Sequence, residues 1–190
     1  MNNNNIFYVI PLTRGLFAIV DADDYERLAV HKWHACGTRD KYYAARRYKG
    51  KIIFMHHEII DVPESLMCDH INHNTLDNRK CNLRVCTPAQ NAHNRLPGRN
   101  CKSSYKGVSW HKASHKWAAE IRCNNERIHL GYFDYEQDAA IAYDDMAIEL
   151  FGPFACLNYN HRPEIAEWLR QCCLFEPELE MEVSRSANNF

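Results

Sequence analysis

A chain of 190 residues, 46% of them hydrophobic, has room for two or three small modules but not for one large core around a deep substrate pocket. Its net charge of −1 argues against a generic polyanion binder, so any nucleic-acid surface has to come from local clustering. No apolar run is long enough to cross a membrane; nine cysteines, an odd count with no Cys-x-x-Cys pair and no signal peptide, read as free thiols in a reducing cytoplasm rather than a secreted disulfide frame.

Residues 1–53 are expected to be β-rich. Extended segments are predicted over Ile6–Leu12, Leu16–Val20, Tyr42–Tyr48 and Lys51–Phe54, around an acid-rich turn or helix, DADDYERLAVHKW. Arg39, Lys41, Arg46, Arg47, Lys49 and Lys51 have only Asp40 among them, so this hairpin either touches a phosphate backbone or is simply solvated.

Residues 54–96 carry the chemistry. Phe54–Ile60 and Leu66-Met67 read as extended segments leading to Asp69-His70, and Leu83–Val85 as a second strand. Thr87-Pro88-Ala89-Gln90 is a capping box: Thr87 accepts from the Gln90 backbone, Gln90 returns the bond, and Pro88 takes the first helical position, where a missing donor costs nothing. Strand, polar loop, strand, turn and helix make a small ββα unit able to fold its two ends onto one cation. Asp69 is the oxygen donor, Asn91 the second ligand, and the His70 imidazole can take a proton near neutral pH, so the chemistry implied is phosphodiester hydrolysis. Asn72, Asn74, Asp77 and Asn78 are ordinary turn residues that hydrogen-bond local backbone.

This stretch, CDHINHNTLDNRKCNLRVCTPAQNAHNR, resembles the HNH nuclease motif in the form found in phage and intron-encoded homing endonucleases. The resemblance implies that Asp69 is the metal-binding acid, His70 the general base, Asn82 the central Asn that ties down the loop and orients the histidine, and Asn91 the last metal ligand. Many members have His at that last place, and His93, Asn94 and His73 are its other candidates here. His56 matches a recurrent family histidine to which no catalytic role is given. One divalent cation is implied, Mg2+ in the first instance and Mn2+ in the second, in a bacterial or phage-infected host cell. Structural zinc on Cys68, Cys81, Cys86 and Cys101 is not expected, their spacing being irregular.

Residues 94–104, NRLPGRNCKSS, have a linker's composition. Beyond them, Tyr105–Trp110 supplies a first strand and Lys116–Arg122 alternates strictly, with Lys116, Ala118, Glu120 and Arg122 on one face and Trp117, Ala119 and Ile121 on the other. Arg127–Tyr132 repeats the pattern, Arg127 and His129 outward, Ile128, Leu130 and Tyr132 inward, and Asn124-Asn125 suits a tight hairpin turn. A covering helix is capped by Asp134-Tyr135-Glu136-Gln137, presents Ala139, Ala140, Tyr143, Met146, Ala147 and Leu150 at helical spacing, and ends at Gly152-Pro153. Trp110 and Trp117 are expected to pack in the core or at its edge.

Residues 99–133 hold seven basic residues (Arg99, Lys102, Lys106, Lys112, Lys116, Arg122, Arg127) and two acids (Glu120, Glu126), whereas residues 134–150 hold six acids and no Lys or Arg. The field is directional: a basic sheet on an acidic helix. This block, residues 103–159, resembles the Apetala-type (ethylene-response-factor) DNA-binding domain, in which a three-stranded sheet enters the major groove. The resemblance places Lys106, Ser109, His111, Lys116, Glu120, Arg122, Arg127 and His129 on the face that meets double-stranded DNA. Ser109, His111 and His129 replace larger Arg or Trp residues, so the plant domains' preferred sequence does not transfer.

Within residues 160–190, Pro163–Phe175 reads as a short helix with Ile165, Trp168, Leu169 and Cys172 on one face, and Met181–Phe190 as a frayed tail. The expected fold class is α+β: a β-rich N-terminal region, a ββα-metal module, then a three-stranded antiparallel sheet packed on one helix. The expected function is that of a monomeric, sequence-directed, metal-dependent homing endonuclease that nicks its target. Its rival is a non-catalytic DNA-binding regulator with a decayed nuclease module.

Overall fold

The computed structural model describes residues 6–38, 41–98 and 102–159; Arg39, Asp40 and everything from Asn160 onward, including the segments 163–175 and 181–190, lie outside the described residues. Among the described residues it is mixed α/β, with four small sheets, all antiparallel. Residues up to Asn158 belong to one compact unit.

The N-terminal region pairs β1 (Phe7–Pro11) with β2 (Phe17–Asp21), continues into α1 (Ala22–Ala29), and then builds the sheet β3–β4–β5 (His34–Thr38, Lys41–Tyr48, Lys51–Phe54). The acid-rich segment is thus a helix, with Asp23 and Asp24 in its first turn, where carboxylates suit the helix dipole. β3 is a strand that the small residues of HACGT do not announce. Ile10, Leu12, Ala18, Val20, Leu28, Trp33, Ala35, Ala44 and Met55 form the core, and the Trp33 indole N–H donates to Leu28 O at 2.8 Å.

Phe54–Ile60 is not extended. Met55–Ile59 turns into a short helix, α2, because Met55 is drawn fully into the N-terminal core and Arg46 reaches across to Glu58. The Arg46 guanidinium is paired with Glu58 and lies over the Trp33 and Tyr48 rings.

A two-stranded hairpin follows, β6 (Met67–His70) with β7 (Leu83–Cys86), and then α3 (Pro88–His93). The capping box forms as the sequence dictates, Thr87 Oγ1 accepting from Gln90 N at 3.2 Å and Gln90 Oε1 from Thr87 N at 2.8 Å.

Residues 103–158 form the sheet β8–β9–β10 (Val108–His111, Lys116–Cys123, Glu126–Phe133), packed on α4 (Glu136–Phe151). Asn124 and Asn125 both have positive φ, 50° and 67°, as a tight primed hairpin turn requires. Gly107 has φ 75°, and a Cβ there would fall 2.0 Å from the Tyr143 ring, so no side chain fits. Trp110 and Trp117 are register partners on the helix side, their rings 5.2 Å apart.

Three details of this region differ from expectation. The register slips between His129 and Gly131, so Leu130 is an extra residue and the parity of everything after it reverses. Tyr132 therefore points outward, 47% exposed. The α4 cap is Tyr135 with no side-chain bond, Asp134 being turned to Lys116 instead, and Leu150 is exposed at the helix end while Asp144 is fully buried. Asp144 Oδ1 accepts from Asn158 N at 2.8 Å and Nδ2 at 3.0 Å, and Asn158 in turn holds both backbone groups of Lys106.

Candidate functional site

The polar loop between β6 and β7 is held from outside itself. Ile19 of β2 donates to Leu76 O and accepts from Asn78 N, both at 2.8 Å, forming a parallel bridge opposite Asp77. Thr75 Oγ1 donates to Tyr42 O, and Lys80 N to the Asp21 carboxylate. From inside, Asn82 closes the loop: its Oδ1 accepts from Asn72 N at 2.9 Å and its Nδ2 donates to Asp77 O at 2.7 Å. Buried Asp77 is itself paired with Arg79, whose hydrogen bonds hold the carboxyl below its ordinary range despite burial. The turn-forming Asn and Asp residues thus do bond local backbone, and one of them, Asn78, also reaches a histidine.

That histidine is His70, 5% exposed at the end of β6. Burial pushes its pKa below the ordinary imidazole range, against the opposing pull of Asn78, Asp69 and Asp77, which favours the neutral form. Asn78 donates through Nδ2 to Leu76 O, which turns its Oδ1 toward His70 Nε2 at 3.5 Å. An amide oxygen only accepts, so this contact favours the Nε2–H tautomer and leaves the lone pair on Nδ1. Tyr43 and His56 wall the ring, His56 edge-on at 5.2 Å. The pKa of His56 is held down to about 3 by burial and by the neighbouring His57 and His70, and its Nδ1 is buried without a hydrogen-bond partner among the described residues.

Asp69 precedes His70 on the same strand and faces Arg84 directly across the hairpin. Arg84 Nε and Nη2 donate to Asp69 Oδ2 at 3.0 and 2.7 Å, and Asn94 Nδ2 donates to the same oxygen at 3.0 Å. Asn94, which also bonds His70 O, is 4% exposed, and its carbonyl accepts from the His73 ring. Asn91, by contrast, is not brought to the carboxylate: its amide lies against Met67 Sδ at 3.7 Å. The structure thus sets Asp69, His70 and Asn82 on and beside one hairpin, with the Asn94 amide rather than that of Asn91 hydrogen-bonded to the acid. The signal for Asn94 was position alone, one residue beyond α3, where the chain turns back to the hairpin.

Among the described residues no three His, Cys, Asp or Glu side chains converge as a closed metal cage. The donor chemistry does fit a hard cation that keeps most of its water. Every hydrogen bond that Asp69 accepts among the described residues goes to Oδ2, which leaves Oδ1 for a further partner, and the nearby helix contributes carboxamides rather than thiolates.

The second candidate surface is the outer face of β8–β10. Strand register places Ser109, His111, Lys116, Ala118, Glu120, Arg122, Arg127 and His129 there, and the bulge adds Tyr132, whose ring is 4.8 Å from His111 and 4.5 Å from His129. Arg127 pairs with Glu120 at 3.3 Å and Lys116 with Asp134 at 3.1 Å, both in the open. Lys106 does not belong to this face. It precedes β8, and its ammonium donates to His93 O and, at 2.6 Å, to Arg95 O, at the C-terminal end of α3. Burial there pushes its pKa below the usual lysine range.

A hairpin-borne acid–histidine pair, hydrogen-bonded by asparagines, is thus joined to a sheet-on-helix domain with a polar outer face. Residues 103–153 match the AP2 domain. An uncharacterized HNH endonuclease of Acanthamoeba polyphaga mimivirus is 30% identical over 156 residues, 80% of each chain. An ethylene-responsive transcription factor of Arabidopsis thaliana is 45% identical over 69 residues, 34% of this chain and 42% of that one. A dehydration-responsive element-binding protein of the same plant is 48% identical over 61 residues, 31% of this chain and 29% of the other. The chain spans less than half the length of these plant relatives and most of the viral one. It belongs to the HNH endonuclease family and carries an AP2 domain. No helix among the described residues is long and apolar enough to cross a membrane.

Proposed function

We propose that this protein is a sequence-directed DNA endonuclease, β6–β7–α3 forming a ββα-metal module and the β8–β10 face reading double-stranded DNA. The observation that carries the reading is the buried His70 beside the Asp69 carboxylate, at the end of β6 and against a loop that Asn82 and β2 tie down by hydrogen bonds. His70 Nδ1 takes the proton from the attacking water. Asn78 and the ring of Tyr43 keep the imidazole from turning away. Asp69 Oδ1, with carboxamide help from Asn91 or Asn94, would hold one divalent cation, Mg2+ by preference and Mn2+ as substitute; bound there, it supplies Lewis-acid stabilisation of phosphate charge. Arg122, Arg127, Lys116 and Glu120, with Ser109, His111 and His129, face base edges and phosphates. The family suggests homing as the biological role and the host-cell cytoplasm as the place.

One site per chain breaks one strand at a time, so a monomer releases nicked circles before linear DNA. Plasmid cleavage with Mg2+ and with chelator tests the reading, alongside His70→Ala. Cleavage that persists in chelator, or is unchanged by His70→Ala, sinks it. The ion pair between Asp69 and Arg84 favours a second reading, a DNA-binding regulator with a silenced nuclease module. Target binding without any nicking of plasmid would select that one.

A further inference from the structure

Arg84 has two holds. One edge of its guanidinium, Nε and Nη2, is bonded to Asp69 Oδ2, while Nη1 donates to Pro153 O and the plane lies 4.3 Å from the centre of the Phe154 ring. Pro153 and Phe154 lie in the 3-10 turn that ends α4, Pro153 being the last residue of the AP2 match and Phe154 the next, so the second hold sits at the C-terminal edge of the AP2 domain. With a side chain only 14% exposed, Arg84 is sandwiched between the two parts of the molecule rather than lying across their surface. Two further contacts cross at the same place: His93 stacks on Phe151 at 3.8 Å, and the Lys106 ammonium holds the His93 and Arg95 carbonyls. Asn94, which follows α3, is thereby steadied at the same carboxylate oxygen that Arg84 bonds.

We propose that Arg84 is a positioning residue through which the AP2 domain completes the nuclease site, so that the domain works on the catalytic carboxylate as well as on DNA. This rests on the endonuclease reading above. A carboxylate on a strand can turn about its Cα–Cβ and Cβ–Cγ bonds. Three donors on Oδ2 stop that rotation and present Oδ1 in one direction, and the donors keep their own places because Pro153 and Phe154 fix the far side of the guanidinium. Arg84 also carries a positive charge, which repels a cation. Orientation wins because Asp69 is 8% exposed, and a buried carboxylate that loses its donors turns to other partners.

The variants separate the two effects. Arg84→Lys keeps the charge but cannot hold Asp69 and Pro153 together; Phe154→Leu keeps apolar volume and loses the flat face, without touching Asp69 or the DNA face. In the full chain, Mn2+ affinity is read directly from the free-ion EPR signal, and DNA affinity from gel shift, with thermal unfolding recorded for each variant. Removing an outer partner of a metal-binding carboxylate weakens cation affinity on the order of tenfold or more. Arg84→Lys is therefore expected to lose about that factor, and Phe154→Leu a smaller part of it, with DNA affinity held within about twofold. Unchanged Mn2+ affinity in both variants overturns the proposal, as does tighter Mn2+ binding in Arg84→Gln with no loss in Arg84→Lys, which would make Arg84 a competitor. If Arg84→Lys does not fold, Phe154→Leu alone decides. A parent chain that binds Mn2+ but does not cut plasmid defeats the endonuclease reading while the affinity comparison still tests Arg84; a parent that neither binds nor cuts overturns both.

Discussion

The hairpin site and the AP2 sheet face each carry an ion pair, and the two pairs behave differently. Asp69 and Arg84 have side chains 9% and 14% exposed, whereas Glu120 and Arg127 are 35% and 61% exposed. Breaking one side of a buried pair costs roughly 3–5 kcal/mol, and an exposed pair is worth about 0–1 kcal/mol. The first is built to stay as it is, while the second is an exchangeable contact that a phosphate or a base can replace at little cost. Burial thus separates a fixed ion pair in the hairpin from an exchangeable one on the sheet face, which is the division of labour that the proposed function requires.

The largest effect expected from this contrast is at His70. His70→Ala should lower cleavage by a hundredfold or more, on the order of 2.7 kcal/mol or above, and leave DNA binding intact; single-turnover rates set beside gel shifts check it. If affinity falls in step with rate, the two regions are not distinct in role.

Next comes acid stability. His56 titrates at about 3 in the fold against an ordinary value of 6.5, so its neutral form is favoured by folding. Its contribution is fully present above pH 6.5 and is lost as pH falls from 6.5 toward 3, a change on the order of a few kcal/mol. Melting temperature should drop between pH 7.5 and pH 5, and His56→Phe should flatten that drop. A parallel drop in the variant assigns the acid sensitivity elsewhere.

On the exposed side, Arg122→Ala or Arg127→Ala should weaken target binding by roughly 1–3 kcal/mol per lost base contact, or reduce the salt slope if the lost contact is to phosphate. Competition between target and random duplex distinguishes the two. Tyr132→Ala sharpens the same test, since only the bulge puts Tyr132 on that face. If it alters binding to neither duplex, the aromatic group with His111 and His129 lies off the DNA.

Smallest of all, Glu120→Gln should move unfolding stability by no more than about 1 kcal/mol, its partners being solvated. A larger loss by denaturant titration would mean that the face is structural rather than exchangeable.

What could be read in advance follows from the range of the interaction that decides each feature. The Thr87–Gln90 capping box and the Asn124-Asn125 turn depend on four residues or fewer, and both form as the sequence implies. Strand alternation in Lys116–Arg122 is equally local. Asn82 is legible through its motif, and the structure gives it the loop-closing bonds that the motif implies. The Leu130 bulge is invisible, because an extra residue in a strand leaves composition and local propensity unchanged while reversing every later side chain. Phe54–Ile60 looks extended until Met55 is claimed by a core made from residues 10–44. Asn94 and Arg84 meet at Asp69 only once the hairpin register and the turn after α3 are fixed, and the second hold of Arg84 comes from the α4 terminus, outside residues 68–95 altogether.

The clasp that Ile19 places on Leu76 and Asn78 has a consequence for how the site comes into being. A hairpin loop so rich in polar residues has little apolar surface with which to order itself, and here it borrows a strand edge from far upstream. Synthesis delivers that edge first. By the time residues 71–82 leave the ribosome, β1–β2 can already be standing as a template, and the nascent loop settles on a finished surface instead of searching for one.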